Sequence, residues 1–382
     1  MLKYYLQKIR IFAMMFIVNL NKYFMKDNYC IIMGGGIGSR FWPFSREEHP
    51  KQFIDFFGDG RSLIQQTFDR FRQIIPPENI YIATNKRYAA LVKEQLPELT
   101  DNQILLEPIR RNTAPCIAYA AYRIRSINPN ANIVVTPADH LILHEENFLM
   151  NIQKGLNFVA KFPSLLTLGV KTTRPETGYG YIQTQEGGSD KIQKIKAFTE
   201  KPDRELAKVF NESPDYFWNS GIFIWNVQTI IDAFRKYLPE MANLLDQGSD
   251  IYNTPNEAAY IEEYYPMFPN ISIDYGVMEK ADNVYMLMAD FSWSDLGTWG
   301  SLHDLSEKDE NQNSTLKCKS LFVESKNNLL MLPENKLAVV QGLDDYIIAE
   351  SDGILLICKK SDEQRIKQFV DDISMKYGEK YI

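Results

Sequence analysis

From Tyr29 to His140, short apolar runs alternate with longer amphipathic segments, and this alternation limits the possible fold more than any other feature of the chain. "YCIIM", "NIYIAT", "QILLEP" and "NIVVTPADH" read as strands. Between them, "SLIQQTFDRFRQII", "RYAALVKEQL" and "RNTAPCIAYAAYRIRSI" read as helices. In the first helix Leu63, Ile64, Phe68, Phe71 and Ile75 fall near one face. The third carries a start signal, with Asn112 or Thr113 as cap and Pro115 in the first turn. Strand–helix alternation of this kind implies an α/β fold with a parallel sheet covered on both faces. Ligands of such sheets gather at the carboxyl ends of the strands. A glycine-rich loop after the first strand, "EPIRRNT" and "PADH" all lie at such ends.

From about 164 to 295 the strands "LLTLGV", "GYGYIQT", "KIKAFTEKP" and "GIFIWNV" mix with loops rich in aromatics. After about 303 the texture changes to short strands broken by Asn, Gly and Asp, and a helix, "DEQRIKQFVDDISMKY", closes the chain. The change divides the chain into an N-terminal extension at 1–24, a main domain at 25–302 and a β-rich domain at 303–382, with the boundary region at 301–311. No tandem repeat is evident in the tail. The extension has a basic start and an apolar stretch from Ile11 to Val18, but no A-x-A-like cleavage site follows. That stretch is too short to span a bilayer. Met25, just before the first strand, is the expected functional start, and the upstream segment is read as a start-site artefact or a loose tail.

The formal net charge of −7 argues against non-specific nucleic-acid binding, yet leaves room for a small anionic ligand held by local cations. Four cysteines, Cys30, Cys116, Cys318 and Cys358, form no CxxC pair, which fits a reduced cytoplasmic protein. His140 and His144 share a helical spacing but lack the partners of a metal signature.

The loop itself reads "GGGIGSRFWPFSREEHPKQF". Glycines after a strand let main-chain N–H groups approach phosphate oxygens closely. A Walker loop would end G-K-[ST], whereas Gly38 here precedes Ser39 and Arg40. A dinucleotide fingerprint would run into a helix, and Pro43 and Pro50 oppose that. The segment therefore stays a loop and carries Arg40, Arg46 and Lys51 along its length. From its residues alone it is either a phosphate-binding loop or a glycine turn with solvated basic side chains.

This loop resembles the signature of the sugar-nucleotide pyrophosphorylases, in the form of their GDP-mannose-making branch. "EPIRRNTAPCIAYAA", "VVTPADH", "TGYGYI", "FTEKPD", "WNSGIFIW", "IDYGVMEK" and "FSWSDLGTW" follow in the order of that family. The late "VVQGLDDYIIAESDGILLICKK" resembles its C-terminal region, so the likeness runs from about residue 25 almost to the end. Phe41 stands where a leucine is commoner, a change of packing. The resemblance implies a Rossmann-like mixed, mainly parallel sheet flanked by helices, with a small β-rich C-terminal domain that is left-handed β-helix-like. It implies Mg²⁺-dependent transfer from GTP to α-D-mannose 1-phosphate, giving GDP-mannose and pyrophosphate. The sugar phosphate is already an anion near neutral pH, its second pKa being about 6, so no general base is needed. Positioning and electrostatics carry the catalysis. No isomerase-like domain follows, so a single activity is expected. No nucleic-acid or membrane partner is expected, and homodimerisation through the tail is carried as an expectation. Two competitors remain: a related enzyme for another base or hexose, and a non-catalytic sugar-nucleotide sensor. The joint presence of Arg40, Lys51, Asp139 and Asp295 speaks against the sensor.

By the same resemblance, Gly34, Gly35, Gly36, Gly38 and Ser39 wrap the nucleotide phosphates. Arg40 faces the β/γ-phosphates and Lys51 the α-phosphate, while Arg46 either touches phosphate or is solvated. Asp139 and Asp295 match Mg²⁺ ligands; their bland alternatives are a turn cap and a helix cap near Trp299. His140 stands beside these ligands. Glu107 and Asn112 face the base, and Arg111 is equally a surface charge. Gly180, Glu200, Lys201 and Asn219 face the sugar, unless Glu200 and Lys201 are a solvated pair and Asn219 a turn residue. Tyr179, Trp218 and Trp225 are read as core or pocket wall.

Overall fold

The structure, a computed structural model, describes residues 26–185 and 191–382. The proposed extension at 1–24 and the start at Met25 lie outside the described residues. The alternating half forms as its pattern implies. Strands β1 (Asn28–Met33), β2 (Ile80–Asn85), β3 (Ile104–Glu107) and β4 (Asn132–Pro137) lie in the order β3-β2-β1-β4, all parallel. Successive side chains of a strand point to opposite faces. Cys30 and Ile32 thus pack on one side with helices α1 (Leu63–Phe71), α2 (Ala89–Gln95) and α4 (Glu145–Val159). Tyr29 and Ile31 pack on the other with α3 (Thr113–Ile127), α6 (Val227–Tyr237), α7 (Pro239–Gln247) and α8 (Glu257–Tyr264). A further helix, α5 (Arg204–Glu212), covers Tyr181 and Trp218 through Ala207 and Phe210.

The sheet is mixed, but "mainly parallel" does not hold beyond β4. Strand β9 (Tyr216–Asn226) runs antiparallel between β4 and β6 (Leu165–Lys171). Strand β10 (Val284–Met288) is parallel to β6 and antiparallel to β8 (Ile192–Thr199). Strand β7 (Tyr181–Thr184) is antiparallel both to β8 and to the first residues of β9. The run β9-β6-β10-β8-β7 therefore closes on itself into a five-stranded ring. Ile182, Phe217 and Met286 pack together there with Ile195 and Phe198. Antiparallel neighbours need no crossover helix, and β6, β7 and β8 follow one another with none between them among the described residues, so the regular strand–helix rhythm of the first half is lost here. A small ladder of β5 (Leu141–Leu143) on β11 (Ser292–Ser294) joins the end of β4 to the chain after β10.

The tail is a coil of stacked parallel rungs. Strands β12 (Ser314–Leu316), β14 (Leu329–Met331) and β16 (Tyr346–Ser351) form one side, with β17 (Ile354–Lys359) antiparallel on β16. Strands β13 (Lys319–Val323) and β15 (Leu337–Gln341) form a second side, and a bridge from Lys326 to Asp344 marks a third. The structural repeat escapes the sequence reading because its offsets are unequal: Ser314 lies opposite Leu329, but Leu329 lies opposite Ile347. At one corner buried Asn328 donates to Asn313 Oδ1 (2.9 Å) and to the Leu343 carbonyl (2.9 Å), and accepts from the Tyr346 N–H (2.9 Å). Helix α9 (Trp299–Leu305) runs across residue 302, and α10 (Ile366–Tyr377) follows the last strand. Phe41, Trp42, Trp299 and Leu302 share one apolar core with Leu329, Ile347 and Ile366 of the tail.

Candidate active site

The glycine loop leaves β1 at Met33. The Gly34 carbonyl accepts from Gln52 Nε2 (2.7 Å) and Thr84 Oγ1 (2.8 Å), which pins the loop to its own far end and to β2. Gly38 has φ +74°, and a Cβ there would collide with the Cβ of Lys51. A side chain at this position meets both strain and collision. The crossing brings Lys51 under the loop, where its main-chain N–H donates to the Ile37 carbonyl (2.9 Å).

Lys51 is almost fully buried. Its ammonium donates to Asp139 Oδ2 (2.9 Å) and to the Asp295 carbonyl (2.6 Å). Asp295 Oδ1 accepts from the Tyr179 hydroxyl (2.7 Å) and the Gly297 N–H (3.0 Å). The β5–β11 ladder explains why two aspartates so distant in sequence meet: Leu141 pairs with Ser294, each next to one of the acids or nearly so. Burial raises the Asp139 carboxyl, but the Lys51 and His140 charges outweigh it and hold it below its usual value. His140 Nδ1 accepts from the indole of Trp293 (3.1 Å), and burial lowers its pKa. Neither aspartate is a mere cap. Their unshared oxygens are hard donors suited to Mg²⁺, which takes one or two carboxylates plus phosphate oxygens and water. Among the described residues no three His, Cys, Asp or Glu side chains gather as a ligand set, so an ion here would rest on this pair.

Two cavities of about 340 Å³ each open beside this centre. Gly34, Gly35, Gly36, Glu107, Asn112 and Asp139 line the first. Arg40, Arg174, Tyr179, Asp295 and Glu363 line the second. Gly38 and Ser39 are among the residues lining neither; Gly38 backs onto Lys51, and Ser39 opens the turn that carries Arg40. In the wall of the first cavity, close to Gly35, Glu107 is buried, and its Oε1 accepts from the Tyr265 hydroxyl. Burial raises its carboxyl to about 7, against the pull of Tyr265 and Arg110. Asn112 adopts φ 66°, and its side-chain oxygen accepts from the Thr113 N–H (2.9 Å), so it is the cap of α3 as well as cavity wall. Arg111 is no free surface charge, since it donates to the Pro266 carbonyl (2.5 Å). Arg46 is not simply solvated either, because it pairs with Asp352 on the turn between β16 and β17.

The four proposed sugar residues do converge, at the rim of the ring. Asn219 donates its main-chain N–H to the Gly180 carbonyl (2.8 Å). A Cβ on Gly180 would strike Glu200 Oε1, so only glycine lets that carboxylate sit here. Glu200 is buried at 5% side-chain exposure and pairs with Lys201. Burial pulls the Lys201 ammonium down, yet Glu200 outweighs it and the net change is upward. The sugar end connects to the aspartates through Tyr179, whose carbonyl accepts from the Lys201 N–H (3.2 Å) and whose ring packs on Trp218 and Trp293. Sequence reasoning missed Gln52, Arg174, Tyr265, Asp274 and Glu363. Gln52, Asp274 and Arg174 stood within or beside quoted motifs; Tyr265 and Glu363 gain their place only through tertiary contact.

A parallel half-sheet with a glycine loop at its carboxyl edge, facing a buried lysine and two acids, defines a nucleotidyl-transferring enzyme. Residues 29–312 match the family model described as "Nucleotidyl transferase", and the chain belongs to that family. Among its relatives, a mannose-1-phosphate guanylyltransferase of Escherichia coli is 33% identical over 354 residues, covering 90% of this chain and 75% of that one. The mannose-1-phosphate guanylyltransferase of Salmonella muenchen is 35% identical, covering 89% and 72%. The crystal structure described as mannose-1-phosphate geranyltransferase from Thermus thermophilus superposes with a TM-score of 0.83 at 27% identity, covering 91% of this chain and 99% of that one. Among the described residues no helix is long and apolar enough to cross a membrane.

Proposed function

We propose that the chain makes GDP-mannose and pyrophosphate from GTP and α-D-mannose 1-phosphate. The observation that carries this is the meeting of Lys51, Asp139 and Asp295 between two cavities, in a chain whose relatives of that name match it over some nine-tenths of its length. The first cavity takes the nucleotide. Main-chain N–H groups at Gly34–Gly36 face its phosphates, and Glu107 accepts the N1–H and amino donors of guanine. The rim residues Gly180, Glu200, Lys201 and Asn219 hold the hexose and its phosphate. Lys51 shares its ammonium between Asp139 and the α-phosphate, and Arg40 faces the departing pyrophosphate. Asp139 and Asp295 would hold Mg²⁺, which supplies charge neutralisation to the triphosphate when bound. The protein's part is to align the sugar phosphate oxygen with the α-phosphorus and to keep positive charge where negative charge develops.

The experiment is pyrophosphate release by the purified chain, with mannose 1-phosphate and GTP, UTP, dTTP or ATP in turn. GTP is expected to support turnover best; a better rate with another nucleotide overturns the base assignment. A homodimer is part of the same reading. Leu321, Val323, Leu337 and Val339 form an exposed apolar strip on the β13–β15 side of the coil, which a second copy would cover. Sedimentation of Leu337→Lys as a monomer beside a dimeric wild type is the expected result.

A further inference from the structure

Asp274 opens a π-helical turn, Asp274–Met278, of a kind that is rare and often marks a functional site. Its carboxylate is half-buried and faces the rim at Asn219. Asp274 Oδ1 accepts from Asn219 Nδ2 (3.0 Å). The other end of that amide is fixed as well, because Asn219 Oδ1 accepts from Thr167 Oγ1 (3.0 Å) and the Gly221 N–H (3.2 Å). The amide is thus a rigid link that holds Asp274 in one pose.

Resting on the proposed reaction, we infer that Asp274 is a specificity-determining ligand of the hexose, working with Glu200 as a pair of carboxyl groups at the rim where Asn219 meets Gly180. A sugar ring presents neighbouring hydroxyls that both donate and accept. A carboxyl pair that carries one proton offers both roles in a fixed arrangement, and a site built this way rejects a hexose whose hydroxyl points elsewhere. Burial, with the Glu200 charge adding, raises the Asp274 carboxyl to about 7, while Lys201 and Asn219 pull the other way. On its own turn Tyr275 lies near Lys201, and Glu279 is itself raised by burial and by Glu200. Below about pH 7 the pair carries one negative charge against the Lys201 ammonium; above it, two. The second charge opposes the dianionic sugar phosphate.

The test uses the full chain and the variants Asp274→Ala and Asp274→Asn, with KM for sugar 1-phosphate, KM for nucleotide and kcat measured separately between pH 6.5 and 8.5. Asp274→Ala is expected to raise the sugar KM about tenfold or more, the equivalent of one lost hydrogen bond to a charged group, with the nucleotide KM little changed. Its preference for mannose 1-phosphate over glucose 1-phosphate falls by a similar factor. In the wild type the sugar KM rises above about pH 7, and in Asp274→Asn, fixed neutral, that rise is lost. A purely structural role would leave the hexose preference and the pH profile unmoved, and that result in an active variant overturns the inference while sparing the proposed reaction. A wild type that turns over no hexose 1-phosphate overturns both.

Discussion

Lys51 draws its ammonium from an environment with 4% exposure and binds one carboxylate side chain and one carbonyl there. Removing it leaves Asp139 without its ion-pair partner and, in the proposed reaction, the α-phosphate without a cation. Turnover of Lys51→Ala is expected to fall by about 3–4 kcal/mol of transition-state stabilisation, roughly two to three orders of magnitude, read as kcat in the pyrophosphate assay. Glu107 makes a pH prediction. Its folded pKa is about 7, above the ~4.3 of an unfolded glutamate, so the fold holds a proton that the unfolded chain releases. Stability therefore falls as pH rises from about 4 to about 7 and levels off above that, and Glu107→Gln removes this part of the slope in a series of Tm measurements. On the proposed contact of Glu107 with the base, the nucleotide reads the opposite sign, since guanine donors need the ionised carboxylate. GTP affinity is expected to strengthen as pH rises through about 7. These charged residues were picked out by the resemblance of their motifs, since from its residues alone the loop stayed open between a phosphate-binding loop and a glycine turn. Asp274 was not, because an acid before Tyr275 looks like any helix start until Asn219 and Glu200 are brought against it.

The elements were legible in proportion to their periodicity. Strands β1 to β4 alternate with helices, and Leu63, Ile64, Phe68 and Phe71 lie buried on one face of α1 as their spacing requires. The ring was hidden because its strands pair mostly antiparallel, and short apolar runs such as "YIQT" do not state a partner. The coil was hidden for a different reason: its rungs differ in length, and although the Tyr346 N–H donates to Asn328 Oδ1 just as the Asn328 N–H donates to Asn313 Oδ1, position 346 is no Asn and the side-chain ladder stops there. That corner carries its own prediction. Asn328→Ala leaves the Tyr346 N–H without its side-chain acceptor and takes one of two donors from the Leu343 carbonyl, which keeps the Lys326 N–H (3.0 Å). The loss is expected to be about 1–3 kcal/mol or somewhat more, measured by urea unfolding, with kcat of the folded variant unchanged.

At the scale of the whole molecule, the tail is bound to the phosphate loop from behind. The Trp42 indole donates to the Tyr381 carbonyl (2.7 Å), Arg46 pairs with Asp352, and Glu363 accepts from the Gly300 N–H (2.7 Å) at the start of α9. Phe41 and Trp42 belong to the apolar core that the coil completes. Deleting residues 307–382 uncovers that core, and the remaining catalytic part is expected to aggregate on expression, as judged by soluble yield against the full chain. The change of texture near residue 303 was visible in the sequence, but this dependence was not, since composition does not say which apolar faces meet. The ring has a last consequence. Because β7 returns to β9, the nine-stranded sheet keeps one free margin among the described residues, β3, and that margin is four residues long. A foreign polypeptide seeking to extend the sheet by main-chain pairing finds too short a template to hold it. Copies of this chain must then associate by side-chain contact or along the coil, and the large sheet is protected from runaway strand addition by its own closure.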